Sequence, residues 1–136
     1  MKETIKTNRR KTSRFDLNIS GEISLNIKGE EFTEQIEAAN ISYNGIQVVF
    51  SNNFFLYDFL ESYDNNENKI NVTFQYKEKK YSFSTKVVWV RLYNLGERYF
   101  YVLSGLTFKD KANIDDDLIS ILLDIQMKDI YIGNVS

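Results

Sequence analysis

Leu17-Asn18-Ile19-Ser20-Gly21-Glu22-Ile23-Ser24-Leu25-Asn26-Ile27-Lys28 alternates apolar and polar side chains through twelve residues, broken on the apolar side only by Gly21. Successive side chains of a strand point to opposite faces, so this register predicts a long strand with one buried face. Working outward, Gly29 marks a turn, and Phe32, Glu34, Ile36 and Ala38 begin a second, weaker strand. A third starts near Gly45, with Ile46, Val48 and Phe50 on one side. Ile70, Val72, Phe74 and Tyr76 define a fourth. The polar stretch Lys77-Glu78-Lys79-Lys80 turns the chain into a fifth, Tyr81–Leu92, and Asn94 and Gly96 precede a sixth, Arg98–Phe108.

Short spacing and tight turns predict an all-β-dominated domain, an antiparallel barrel or sandwich, with no βαβ rhythm. Two segments depart from period two. In Phe54–Tyr63, Leu56, Phe59, Leu60 and Tyr63 recur at helical spacing, which predicts a short helix or packed loop within the 51–69 connection. Residues 114–127 predict a better helix. Asn113 or Asp115 caps it, Asp115, Asp116 and Asp117 suit its positive N-terminal end, and Leu118, Ile121, Leu122 and Ile125 form its apolar stripe.

The chain has 136 residues, the length of one domain, with 43% hydrophobic and 15% aromatic residues. That is enough apolar mass for a core. No apolar run approaches the roughly 18 residues of a membrane helix, and Met1-Lys2-Glu3-Thr4 leads into charge, so neither membrane insertion nor a secretory signal is expected. With no cysteine and no histidine, disulfides, thiolate or imidazole metal sites and histidine-assisted nucleophiles are excluded. An enzyme would depend on carboxylates, lysine or tyrosine, which favours a binding module.

Charge is unevenly spread. Residues 1–14 carry Lys2, Lys6, Arg9, Arg10, Lys11 and Arg14 against Glu3, a net +5 in a chain of net −2, so the rest sums to −7. A basic segment on an acidic body is either a solvated tail or an arm that meets an anion. Within it, Arg10 and Arg14 form R-x-x-x-R, with Arg9 immediately before; arginine's planar fork matches a phosphate or the O6/N7 edge of guanine. At the junction of the second and third strands, Asn40-Ile41-Ser42-Tyr43-Asn44-Gly45 offers two short polar side chains and a glycine able to take positive φ and admit a ligand to the backbone. By itself it also reads as a plain turn.

Together, R-x-x-x-R before the first strand and N-x-S-x-x-G after the second resemble the signature of the PilZ domain family. Lys86-Val87-Val88-Trp89-Val90-Arg91 looks like the family's fifth strand, and Leu103-Ser104-Gly105-Leu106-Thr107-Phe108 followed by Asp115-Asp116-Asp117 like its last strand and C-terminal helix. The resemblance spans roughly residues 9–126. It implies a six-stranded antiparallel β-barrel with a C-terminal helix, divided into a flexible basic arm (1–14), the barrel and helix (15–130) and a tail (131–136).

It also implies a bacterial, cytoplasmic receptor for the second messenger cyclic di-GMP, not an enzyme and without a cofactor or metal. Arg10 and Arg14 would hold phosphate and guanine, Asn40 and Ser42 a guanine edge, and Gly45 would keep the turn open. Trp89 would border the ligand, although apolar residues on both faces of its strand leave its direction open. Arg9 is surplus for one nucleotide and suits two stacked ligands. Ligand capture would order the arm and signal to an unidentified protein partner. Two departures stand out: Asn40 replaces the commoner Asp, and Asn44 occupies a position where a second Gly is frequent. The competing readings are a PilZ-like protein–protein adaptor that binds no nucleotide, and a small nucleic-acid-binding barrel. The intact motifs oppose the first and the acidic body opposes the second, so no DNA or RNA partner is expected.

Overall fold

The computed structural model describes residues 14–63, 69–94, 100–109 and 117–125. Among these, six strands close into an antiparallel barrel in the order β1-β2-β3-β6-β5-β4, with β4 returning to pair with β1. The strands are β1 (Phe15–Ile27), β2 (Glu30–Ile41), β3 (Gly45–Phe50), β4 (Lys69–Tyr76), β5 (Lys79–Asn94) and β6 (Phe100–Phe108). Helix α1 (Asn53–Tyr63) follows β3, and residues 117–125 form α2. Closure gives every strand two hydrogen-bonded neighbours along part of its length. No helix among the described residues is long and apolar enough to cross a membrane.

The core follows the alternation. Ile23, Leu25, Ile36, Ala38, Ile46, Val48, Val72, Phe83, Val102 and Leu106 are buried inside the barrel. The two helices extend that core at opposite ends. At one end Phe50 meets Phe55 and Phe59 of α1 edge-to-face, with ring centroids 5.1 and 5.2 Å apart. At the other, Leu118 and Ile121 of α2 are buried, with Leu122 and Ile125 partly so, as the apolar stripe predicts. Tyr76 Oη there donates to Asp124 Oδ2 at 2.6 Å, and Lys77 Nζ lies 2.8 Å from the same carboxylate. Burial and the Asp124 carboxylate push the Tyr76 hydroxyl up to about 12.

Several expectations change in detail. The buried face of α1 runs through Phe55, Phe59 and Ser62, at i, i+4 and i+7, whereas Leu60 is exposed. The helix turns toward Phe50, so aromatic packing set its rotation. The β4–β5 turn is two residues, not four: Lys77 and Glu78 both take positive φ, 50° and 69°, and β5 begins at Lys79. A two-residue turn with both φ positive matches the twist of the strands it joins. Residues 1–13 of the predicted arm (1–14), Arg98, the predicted helix caps Asn113 and Asp115, Asp116, and the predicted tail lie outside the described residues.

Candidate ligand groove

Three irregularities in the strand pairing all lie beside one patch of the barrel exterior. Between β1 and β2 the register shifts between Asp16 and Ile19, with Asn18 at φ 51°. Between β2 and β3 it shifts between Ala38 and Asn40, and between β5 and β6 between Val87 and Trp89. The β2 and β5 bulges each add a residue to one strand and so reverse which face the following side chains occupy, whereas β1 keeps Leu17 and Ile19 on the core side through its shift. After Ala38, still inside, Ala39 is extra; Asn40 then lies outside and Ile41 returns to the core. After Val87, Val88 is extra and 52% exposed; Trp89 lies outside, and Val90 packs against the core. The direction of Trp89, open in the sequence, is thus decided by a bulge.

The reversals put five residues in one row across the outer face. Asp16 pairs with Asn40, Asn40 with Gln47, Gln47 with Gly105 and Gly105 with Trp89. Along this row Asn40 Nδ2 donates to Gln47 Oε1 at 3.0 Å. Gly105 leaves room for Trp89: a Cβ at position 105 would strike the indole nitrogen and its neighbouring ring atoms. The Arg91 guanidinium lies 4.8 Å from the centroid of the same indole, a cation–π contact. The backbone oxygen of Trp89 accepts from Ser104 Oγ at 2.8 Å, so a bulged strand keeps this carbonyl satisfied.

Above the row is the 42–45 turn. Ser42 Oγ accepts from the backbone N–H groups of Asn44 and Gly45, both at 3.2 Å, and lies 3.4 Å from the Gly45 oxygen. Its backbone N–H donates to the Gly45 oxygen at 2.8 Å. The turn is tied to β6, because the Asn44 oxygen accepts from Thr107 Oγ1 and from the Phe108 N–H, each at 3.0 Å. Gly45 does not take positive φ. The glycine answers a different demand: a Cβ there would run into the Leu106 carbonyl of β6. Close strand approach, not turn geometry, selects this residue.

These elements enclose an open groove of about 180 Å³. Arg14, Asn40, Ser42, Gly45 and Trp89 all line it, so the structure brings five of the seven sequence-predicted site residues together. Arg9 and Arg10 lie outside the described residues. Gln47, Gly105 and Thr107 also line the groove and were not singled out from the sequence. Gln47 carried a signal, being the sole polar side chain in Gly45–Phe50. Gly105 carried none, because its role exists only opposite Trp89. No cluster suited to a metal ion occurs among the described residues.

The sequence pattern of the PilZ domain matches residues 8–124. None of the curated proteins matches the chain. Among solved structures, the fold is similar to MrkH of K. pneumonia in complex with c-di-GMP (TM-score 0.63, 15% identity, 90% of this chain and 55% of that one). It is similar also to Borreliella burgdorferi PlzA in complex with c-di-GMP (0.54, 16%, 94% and 57%). A third is the PilZ domain of Escherichia coli YcgR with c-di-GMP (0.53, 12%, 93% and 98%). The chain spans little more than half the length of the PlzA and MrkH chains. At these identities the likeness is one of fold.

Proposed function

The chain belongs to the PilZ domain family, and on that premise we propose that it is a receptor for cyclic di-GMP rather than an enzyme. The observation that carries the reading is the convergence of Arg14, Asn40, Ser42, Gly45 and Trp89, from separate elements, on one groove. Arg14 supplies a charged fork for phosphate or guanine. Asn40 meets the guanine edge, and Trp89 offers an apolar wall. Ser42 shapes the turn, and its hydroxyl contact to the Gly45 oxygen, at 3.4 Å, is long enough to be redirected to a ligand. Neighbours of the same fold in complex with c-di-GMP support the choice of ligand.

Arg9 and Arg10 precede the groove-lining Arg14 in the chain, and in this reading they close over the bound nucleotide. Ordering that segment costs conformational entropy, which the charged contacts offset, and the closed arm is the signal to a protein partner in the cytoplasm. Calorimetric titration with cyclic di-GMP, and competition by GMP, GTP and cyclic di-AMP, tests the reading. Adenine presents an N6 amine where guanine has O6, so the arginine forks discriminate against it. Absence of heat with cyclic di-GMP, or equal competition by the adenine analogue, overturns the proposal.

A further inference from the structure

Asn40 stands where an aspartate is commoner, and the difference is chemical as well as electrostatic. A carboxylate presents acceptors whichever way it is turned; a carboxamide has an acceptor on one side and a donor on the other. The Watson–Crick edge of guanine offers N1–H and N2–H₂ as donors. One amide orientation of Asn40 binds that edge, and the flipped one sets donor against donor. An asparagine here therefore binds better if a neighbour holds its amide in the accepting orientation.

Gln47 is placed to do so. It is the register partner of Asn40 across β2 and β3, and its Oε1 accepts from Asn40 Nδ2 at 3.0 Å. The amide group is planar, so holding Nδ2 on Gln47 turns Oδ1 away from it and leaves Oδ1 as the acceptor that Asn40 offers. Gln47 is only 9% exposed, which limits its own freedom. On the other side of the row its partner is Gly105, which has no side chain to compete for the carboxamide. The Ala39 bulge is what sets Asn40 on the outer face beside Gln47.

We infer that Gln47 is a positioning residue that sets Asn40 as a hydrogen-bond acceptor and so stands in for the missing carboxylate in guanine recognition. The inference rests on the receptor reading above. It makes a coupling prediction, because a carboxylate has no wrong orientation: Gln47 matters when residue 40 is Asn and ceases to matter when it is Asp.

The test is a double-mutant cycle read by calorimetry with cyclic di-GMP, with thermal melts to confirm folding. Gln47→Leu should weaken binding about fivefold, the scale of one net hydrogen bond, and should narrow the preference over cyclic di-IMP, which lacks N2–H₂. In the Asn40→Asp background the same substitution should change affinity less than twofold. Gln47→Glu serves as a second variant: it keeps the acceptor for Asn40 Nδ2 and should bind within about threefold of wild type, but with Asn40→Asp it sets two carboxylates together and should lose more than tenfold. Equal losses from Gln47→Leu in both backgrounds, or a large loss from Gln47→Glu alone, overturn the positioning role. Absence of wild-type binding instead overturns the receptor reading, and this inference with it.

Discussion

Trp89 lies against Gly105 so closely that the indole occupies the space a Cβ at position 105 would need. The pair links β5 and β6 on the outside of the barrel, next to the Val88 bulge. Its consequence is a fixed indole, held between the Gly105 backbone and the Arg91 guanidinium.

Gly105→Val should therefore displace the indole rather than unfold the barrel, because the clashing atoms belong to a side chain. Trp89 is the sole tryptophan, so its fluorescence reports the change without ambiguity. The emission should shift to longer wavelength and become more accessible to acrylamide, and affinity for cyclic di-GMP should fall at least fivefold. Unchanged emission would show that Trp89 does not depend on Gly105.

Gly45→Ala meets a harder obstacle, the Leu106 carbonyl of the neighbouring strand. Backbone cannot rotate away as an indole can, so β3 and β6 must separate locally. The expected cost is about 1–3 kcal/mol, measured by urea denaturation. A variant as stable as wild type would mean that the two strands are more loosely apposed than described.

Arg14→Ala separates binding from folding. Arg14 is exposed just ahead of β1 and lines the groove. Its loss should reduce the cyclic di-GMP affinity by roughly 1.5–3 kcal/mol, the range for a hydrogen bond to a charged group, with the melting temperature of the ligand-free protein nearly unchanged. Arg10→Ala should behave alike. Marked destabilisation of the ligand-free protein would make Arg14 structural.

Tyr76 supplies a pH-dependent tie between β4 and α2. Burial first, then its hydrogen bond to Asp124, raise its pKa from 10.0 to about 12. The folded state thus holds the phenol proton more tightly than the unfolded chain does. Its stabilisation is full below pH 10 and is lost as the pH rises from 10 toward 12. Tyr76→Phe should cost about 1 kcal/mol near neutral pH, kept modest because Asp124 is partly exposed. The variant should also lack this part of the alkaline decline in chemical-denaturation stability. An identical decline in both proteins would assign it to other groups.

How the sequence and the folded chain divide the outcome is visible in the two strands that flank the groove. Along β1, Ile23, Leu25 and Ile27 are buried as their period-two spacing requires, despite the shift between Asp16 and Ile19. The spacing of side chains along a strand is local geometry, so alternation alone determined the strands and left a barrel or a sandwich open; strand closure is set by pairing between distant segments. The apolar stripe of α2 was legible for the same reason. Along β5, by contrast, Trp89 lay in a run apolar on both faces, and local spacing had no way to orient it. A bulge is defined by two residues facing one on the partner strand. Whether Val88 is the extra residue depends on Gly105, and whether Ala39 is extra depends on β3.

Asn40, Ser42 and Gly45 were recognisable because they sit within six residues of one another, and Arg14 because it shares R-x-x-x-R with Arg10 just ahead of the first strand. Gln47, Gly105 and the outward turn of Trp89 belong to the closed barrel. The row from Asp16 to Trp89 crosses five strands, and only hydrogen-bonded pairing between segments distant in the chain sets which side chains stand next to one another in it.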